Sequence, residues 1–90
     1  MTDYCFLCGK YGPLERHHVF QGAYRKKAER HGFVVNLCHF CHNEPPMGVH
    51  HNKERRIALR QTCQREYEQT HTREDFIKEF GRSYILEDEG

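Results

Sequence analysis

The sequence lacks any long apolar run. No stretch approaches the roughly 20 apolar residues that a membrane span requires, and none near the N-terminus is long enough for the apolar core of a secretory signal. A soluble, cytoplasmic chain with no membrane partner is the expectation. Internal repeats, low-complexity tracts and linker-like stretches are missing too, so the chain reads as one domain. It is also short of material for a core: 90 residues, 37% of them hydrophobic, with a mean hydropathy of −0.95. A chain this small and polar needs a staple. A full set of disulfides is disfavoured, because the five cysteines are an odd number.

What is present is a better staple. Cys5-x-x-Cys8 and Cys38-x-x-Cys41 have the spacing of two knuckles gripping one tetrahedral zinc ion, and Gly9 permits the tight turn that the first knuckle demands. Four thiolates close the coordination sphere, so this centre is structural, and such sites contribute on the order of 10 kcal/mol to the folding of small modules. Cys63 stands alone on a helix face and reads as a small buried hydrophobe rather than a reactive thiol.

The formal net charge of +1 conceals a polarity. Between residues 10 and 60, ten lysines and arginines stand against four glutamates, while the remainder carries four against nine. The metal-bearing segment is thus the basic one, as a surface for phosphates requires, although charge clusters also serve merely to solvate a small domain. The acidic end, Glu87-Asp88-Glu89, is expected to stay away from nucleic acid.

Local patterns supply the elements. Gly12-Pro13 punctuates the chain after the first knuckle. Leu14 to Phe20 and Phe33 to Leu37 read as strands, with Ala23 to Arg30 between them as either a helical turn or an ordered loop. A helix opening near Cys38 to His42 must end at Pro45-Pro46, and Met47 to His51 is a loop. Asn52 caps a helix through roughly Thr70, with Leu59, Cys63 and Tyr67 as its apolar stripe. Thr72 caps a shorter helix to Phe80, with Asp75 three residues on and Gly81 at its end. Phe76, Ile77 and Phe80 should face inward, and Tyr84, Ile85 and Leu86 should tuck back onto these helices. The fold class is therefore α+β, a small zinc-stapled ββα core over residues 1–52 with a helical extension over 53–90 packed on the same domain.

The doublet His17-His18, the strand-like Val34-Val35-Asn36-Leu37 and the run Cys38-His39-Phe40-Cys41-His42, in that order, resemble the HNH endonuclease family with its ββα-metal site. Small HNH proteins encoded by bacteriophages and prophages are similar. The resemblance covers residues 5–52. It implies that His17 and His42 bind a catalytic divalent ion (Mg²⁺, Mn²⁺, Ni²⁺ or Zn²⁺) and that His18 is the general base. A third ligand would come from His50-His51, with His50 favoured. Asn36 is the candidate for the family's middle residue. Asn52 is the alternative, although a helix cap is its plainer role. The strand geometry agrees with the division of labour, since adjacent side chains point to opposite faces and cannot ordinarily hold one ion. An imidazole with an unperturbed pKa of about 6.5 suits a base near neutrality. His39 reads as exposed or as a phosphate contact.

The implied activity is hydrolysis of DNA to 5′-phosphate and 3′-hydroxyl ends, with Arg25, Lys26, Lys27, Arg55 and Arg56 as backbone contacts. A homodimer or a larger phage protein are candidate partners. Two rivals stand beside this reading: a non-catalytic zinc module that binds nucleic acid or a partner protein, and an adaptor whose helices between Asn52 and Phe80 form a protein interface. On the plainer view His17 and His18 belong to a second structural site or cap the strand, and His42 only packs against the knuckle.

Overall fold

Cys5 and Cys8 sit at the tip of an antiparallel hairpin in the computed structural model, which describes residues 2–85. Its strands are β1 (Thr2–Tyr4) and β2 (Tyr11–Pro13). Gly9, at φ 75°, lets its own N–H reach Cys5 O at 2.9 Å while Cys5 N–H reaches Lys10 O at 3.0 Å. Gly12 and Pro13, expected to break the chain, instead lie in β2 opposite Asp3 and Thr2. A two-stranded ribbon has open edges on both sides, so a proline without an N–H is tolerated there.

A second hairpin pairs β3 (Glu15–His18) with β4 (Val34–Leu37), placing Glu15 opposite Leu37 and His17 opposite Val35. Between the strands a 3₁₀ turn (Gly22–Tyr24) runs into α1 (Arg25–Arg30), which settles that segment as helical. The knuckle is tied to this hairpin by Phe6 N–H donating to Asn36 O at 3.0 Å.

The helix α2 (His39–Asn43) follows β4 directly and stops where Glu44 turns extended before the prolines. The chain then doubles back over α2: Val49 N–H reaches Cys41 O at 2.8 Å, and His50 N–H reaches His42 O at 3.3 Å. Gly48 makes this return possible, because a Cβ there would lie 2.6 Å from the backbone nitrogen of Glu44.

Asn52 caps α3 (Lys53–Tyr67) by accepting from Arg55 N–H at 3.0 Å. Thr72 and Asp75 form a reciprocal capping box on α4 (Arg73–Phe80), which Gly81 closes. The stripe Leu59, Cys63 and Tyr67 is buried. Gln64, not singled out by the pattern, is fully buried beside it, with its amide bonded to Tyr84 N, Ser83 Oγ and Glu68. That amide fastens the residues after α4 to α3.

The core joins both parts of the chain. Val19, Phe20, Phe33 and Leu37 meet Leu59, Phe76 and Phe80, with Phe20 stacked on Phe80 at 4.3 Å between ring centroids. Tyr84 packs against this cluster and Ile85 is half-buried. Leu86 and the acidic Glu87-Asp88-Glu89 lie outside the described residues. Ile77 is a correction: it is 39% exposed rather than inward. Phe76 and Phe80, four residues apart, already form the inner stripe, and the next position along a helix is rotated away from it. Among the described residues no helix is long and apolar enough to cross a membrane.

The contrast between neighbours is measurable. Phe76→Ala should cost about 3–5 kcal/mol, much of the reserve of a small domain, whereas Ile77→Ala should cost less than about 1 kcal/mol. Urea titration of zinc-loaded protein followed by circular dichroism would reveal the difference; equal losses would refute the packing described.

Two candidate metal centres

The thiols of Cys5, Cys8, Cys38 and Cys41 lie within 4.8 Å of one another. Cys8 Sγ and Cys38 Sγ are 3.8 Å apart. Tetrahedral coordination with zinc–sulfur bonds of about 2.3 Å requires an edge of about 3.8 Å, so the spacing suits such an ion. Burial pushes the Cys5 thiol up, but backbone N–H groups of Cys8, Cys38 and Leu7 outweigh it and bring its pKa down to about 6. Burial raises Cys41 to about 12 against a donor from Arg55, whose Nη2 lies 3.8 Å from its sulfur. Four thiols so close cannot all ionise without a cation among them, and soft thiolate donors select zinc from the common ions. Cys63 is buried, and that burial lifts its pKa to about 12, as expected of an inert thiol.

The second cluster is built from three separate segments. His17 of β3, His42 of α2 and His50 of the return loop each offer a ring nitrogen, all within 4.8 Å of one another. Their ring centroids are 4.7 to 5.2 Å apart. His42 Nε2 and His50 Nε2 are separated by 3.0 Å, close to the cis-octahedral edge of about 3.0 Å and short of the tetrahedral edge of about 3.4 Å expected for metal–nitrogen bonds near 2.1 Å. His17 is buried, and burial followed by repulsion from His42, His50 and Arg60 lowers its pKa to about 4. Burial lowers His50 as well. Both rings are thus neutral near pH 7, the state in which a lone pair is free for a metal. His51 lies outside the cluster and is exposed.

Carboxylates that the sequence did not single out complete the surroundings. Glu15 Oε1 lies 2.7 Å from His42 Nδ1 and Oε2 lies 2.9 Å from His39 Nδ1. These two hydrogen bonds hold the Glu15 carboxyl below its ordinary range. His39 is exposed and turned towards Glu15 and Glu44. On the other face of β3, His18 Nε2 contacts Glu29 Oε1 of α1 at 2.7 Å. An open cleft of about 400 Å³ brings His17, His18, His42 and His50 together with Arg16 and Arg25.

The remaining selected residues divide. Arg25 and Lys26 are exposed, and Arg25 lines the cleft. Lys27 instead pairs with Glu79 at 3.5 Å. Arg55 donates to Met47 O at 2.8 Å and Arg56 to Val49 O at 3.0 Å, so both guanidiniums brace the return loop that carries His50. Asn36 lines a different hollow, with Tyr4, Phe6 and Cys63, and is not brought to the histidines. Asn52 caps α3 and also reaches Pro46 O at 3.2 Å. The signal for Glu15 was its place two residues before His17, since alternate residues of a strand share a face; Glu29 had no such signal.

Neither a family model, a curated protein nor a solved structure matches this chain. What the site can do follows from its own donors. Four thiols in a closed set could hold a structural ion, and three imidazoles at the edge of an open cleft leave room for further ligands.

Cys41→Ala should lose the thiol-bound zinc and the cooperative unfolding transition, while Cys63→Ala should keep both. Native mass spectrometry combined with thermal melts checks this. Retention of zinc by Cys41→Ala would remove that sulfur from the set.

Proposed function

We propose that this protein is a metal-dependent endonuclease that hydrolyses DNA phosphodiester bonds through an HNH-like ββα-metal site, with a structural zinc ion on Cys5, Cys8, Cys38 and Cys41. The observation that carries the reading is the meeting of His17, His42 and His50 in one cleft with His18, Arg16 and Arg25. The antiparallel pairing of β3 with β4, followed in the chain by α2, supports it as well.

An ion on the three imidazoles would stabilise charge on the scissile phosphate and on the leaving 3′ oxygen. His18 supplies the base. With its Nε2–H donated to Glu29, Nδ1 keeps the lone pair and takes the proton from the attacking water. The imidazolium so formed is stabilised by the same carboxylate. Arg16 and Arg25 bind non-bridging phosphate oxygens, which gives affinity and salt dependence without reading sequence.

A non-catalytic zinc module is the second reading, favoured by the exposed aromatics Tyr4, Phe6, Tyr11 and Phe40 around the thiol cluster. Such rings suit stacking on bases or contact with a partner.

Plasmid nicking separates the two. Metal-stripped protein restored with zinc and then with Mg²⁺, Mn²⁺ or Ni²⁺ should cut, and His18→Ala should cut about 10²- to 10⁴-fold more slowly while holding the same ions. A wild type that never cuts and binds only one ion per chain would establish the binding module instead.

A further inference from the structure

Glu15 spans two histidines of one short helix. Its two oxygens are shared between His42, a member of the three-histidine cluster, and His39, which lies between the thiols of the second knuckle. Alternation along β3 gives Glu15 and His17 the same face, so a single strand face presents both a candidate ligand and the carboxylate that touches a second one.

The consequence for His42 is chemical. A carboxylate at 2.7 Å from Nδ1 accepts a hydrogen bond from Nδ1–H, which leaves Nε2 as the nitrogen with the lone pair. Nε2 is the atom that approaches His50 at 3.0 Å. Without Glu15 both tautomers and ring rotation become available, and only part of the population presents the right nitrogen.

The consequence for α2 is mechanical. Five residues are too few for a helix to persist alone, and α2 begins beside Cys38 and contains Cys41. The return loop that carries His50 is hydrogen-bonded to the carbonyls of Cys41 and His42. Two of the three imidazoles therefore depend on how α2 is seated, and Glu15 pins that helix to β3 at two points.

We propose that Glu15 is a positioning residue that bridges the two metal centres, fixing the tautomer and direction of His42 while itself held by His39 of the knuckle helix. This rests on the reading of His17, His42 and His50 as a metal centre. It does not require the chain to be a nuclease.

The test is calorimetric titration of Ni²⁺ into protein whose thiols already hold one zinc, with His17→Ala as the control that defines the histidine site. Glu15→Ala should weaken Ni²⁺ binding about 10- to 100-fold, and Glu15→Gln, whose amide oxygen still accepts one N–H, should recover part of that loss. His39→Ala should give a smaller, several-fold loss, and the double variant Glu15→Ala/His39→Ala should bind no worse than Glu15→Ala alone. Long-range ¹⁵N–¹H spectra of the zinc-loaded, Ni²⁺-free protein should show His42 as the Nδ1–H tautomer in the wild type and as a mixture in Glu15→Ala. Every variant is required to keep its zinc and its urea midpoint. Binding by Glu15→Ala within twofold of the wild type, or an unchanged His42 tautomer, would overturn the bridging role alone. A wild type that binds Ni²⁺ no better than His17→Ala would overturn the metal centre itself and the inference with it.

Discussion

A helix of five residues has no stability of its own, and in this protein α2 is that helix. The thiol cluster holds it from one side, through Cys38 and Cys41, each brought within 4.8 Å of the knuckle thiols. The rest of the site hangs from it. His42 is its last basic residue, the return loop of Val49 and His50 bonds to its carbonyls, and Glu15 reaches it from β3. An ion on the thiols would supply such a helix with free energy that the few apolar contacts of a 90-residue chain do not.

Arg55 and Arg56 fit the same scheme. Both begin as cations in a basic segment, yet their guanidiniums turn to the carbonyls of Met47 and Val49. They clamp the loop between α2 and α3, and Gly48 makes its close approach to α2 under that clamp. The loop is thus braced at several points, which is what a third donor on a non-helical segment needs if it is to keep its place relative to the other two.

Much of this was legible in the sequence because it rests on local rules. The knuckle spacing, the caps at Asn52 and Thr72, the buried stripe of α3 and the strands around positions 17 and 35 all follow from periods and end signals a few residues long. What was not legible depends on contacts between distant segments. Gly12-Pro13 reads as a break until β1 is there to pair with it. Ile77 reads as core until the positions of Phe76 and Phe80 define the inner face. Asn36 has the right residue type near the right place, but β4 turns it to the hollow beside Tyr4 and Phe6 rather than to the histidines. Glu29 could not be linked to His18 at all without the seating of α1 against β3.

The two carboxylates in the basic segment show why a surplus of positive charge is not enough to describe it. An imidazole is useful only if the correct nitrogen carries the lone pair, and in water both tautomers are populated. Glu15 and Glu29 each sit 2.7 Å from one nitrogen of a histidine, and in each case the other nitrogen is freed. For His42 the partner is Nδ1, so Nε2 points to the cluster; for His18 it is Nε2, so Nδ1 keeps the lone pair. His17 reaches neutrality by a different route, since burial lowers its pKa to about 4 without a carboxylate being needed. Buried ring, bridged ring and paired ring are thus three physical solutions to one requirement; the buried His17 and the paired His18 are neighbours because β3 presents alternate faces to α2 and to α1, and the bridged His42 comes from α2 itself. A charge count along the chain registers Glu15 and Glu29 only as losses from a basic segment. Their geometry makes them the groups that decide which atoms the histidines offer.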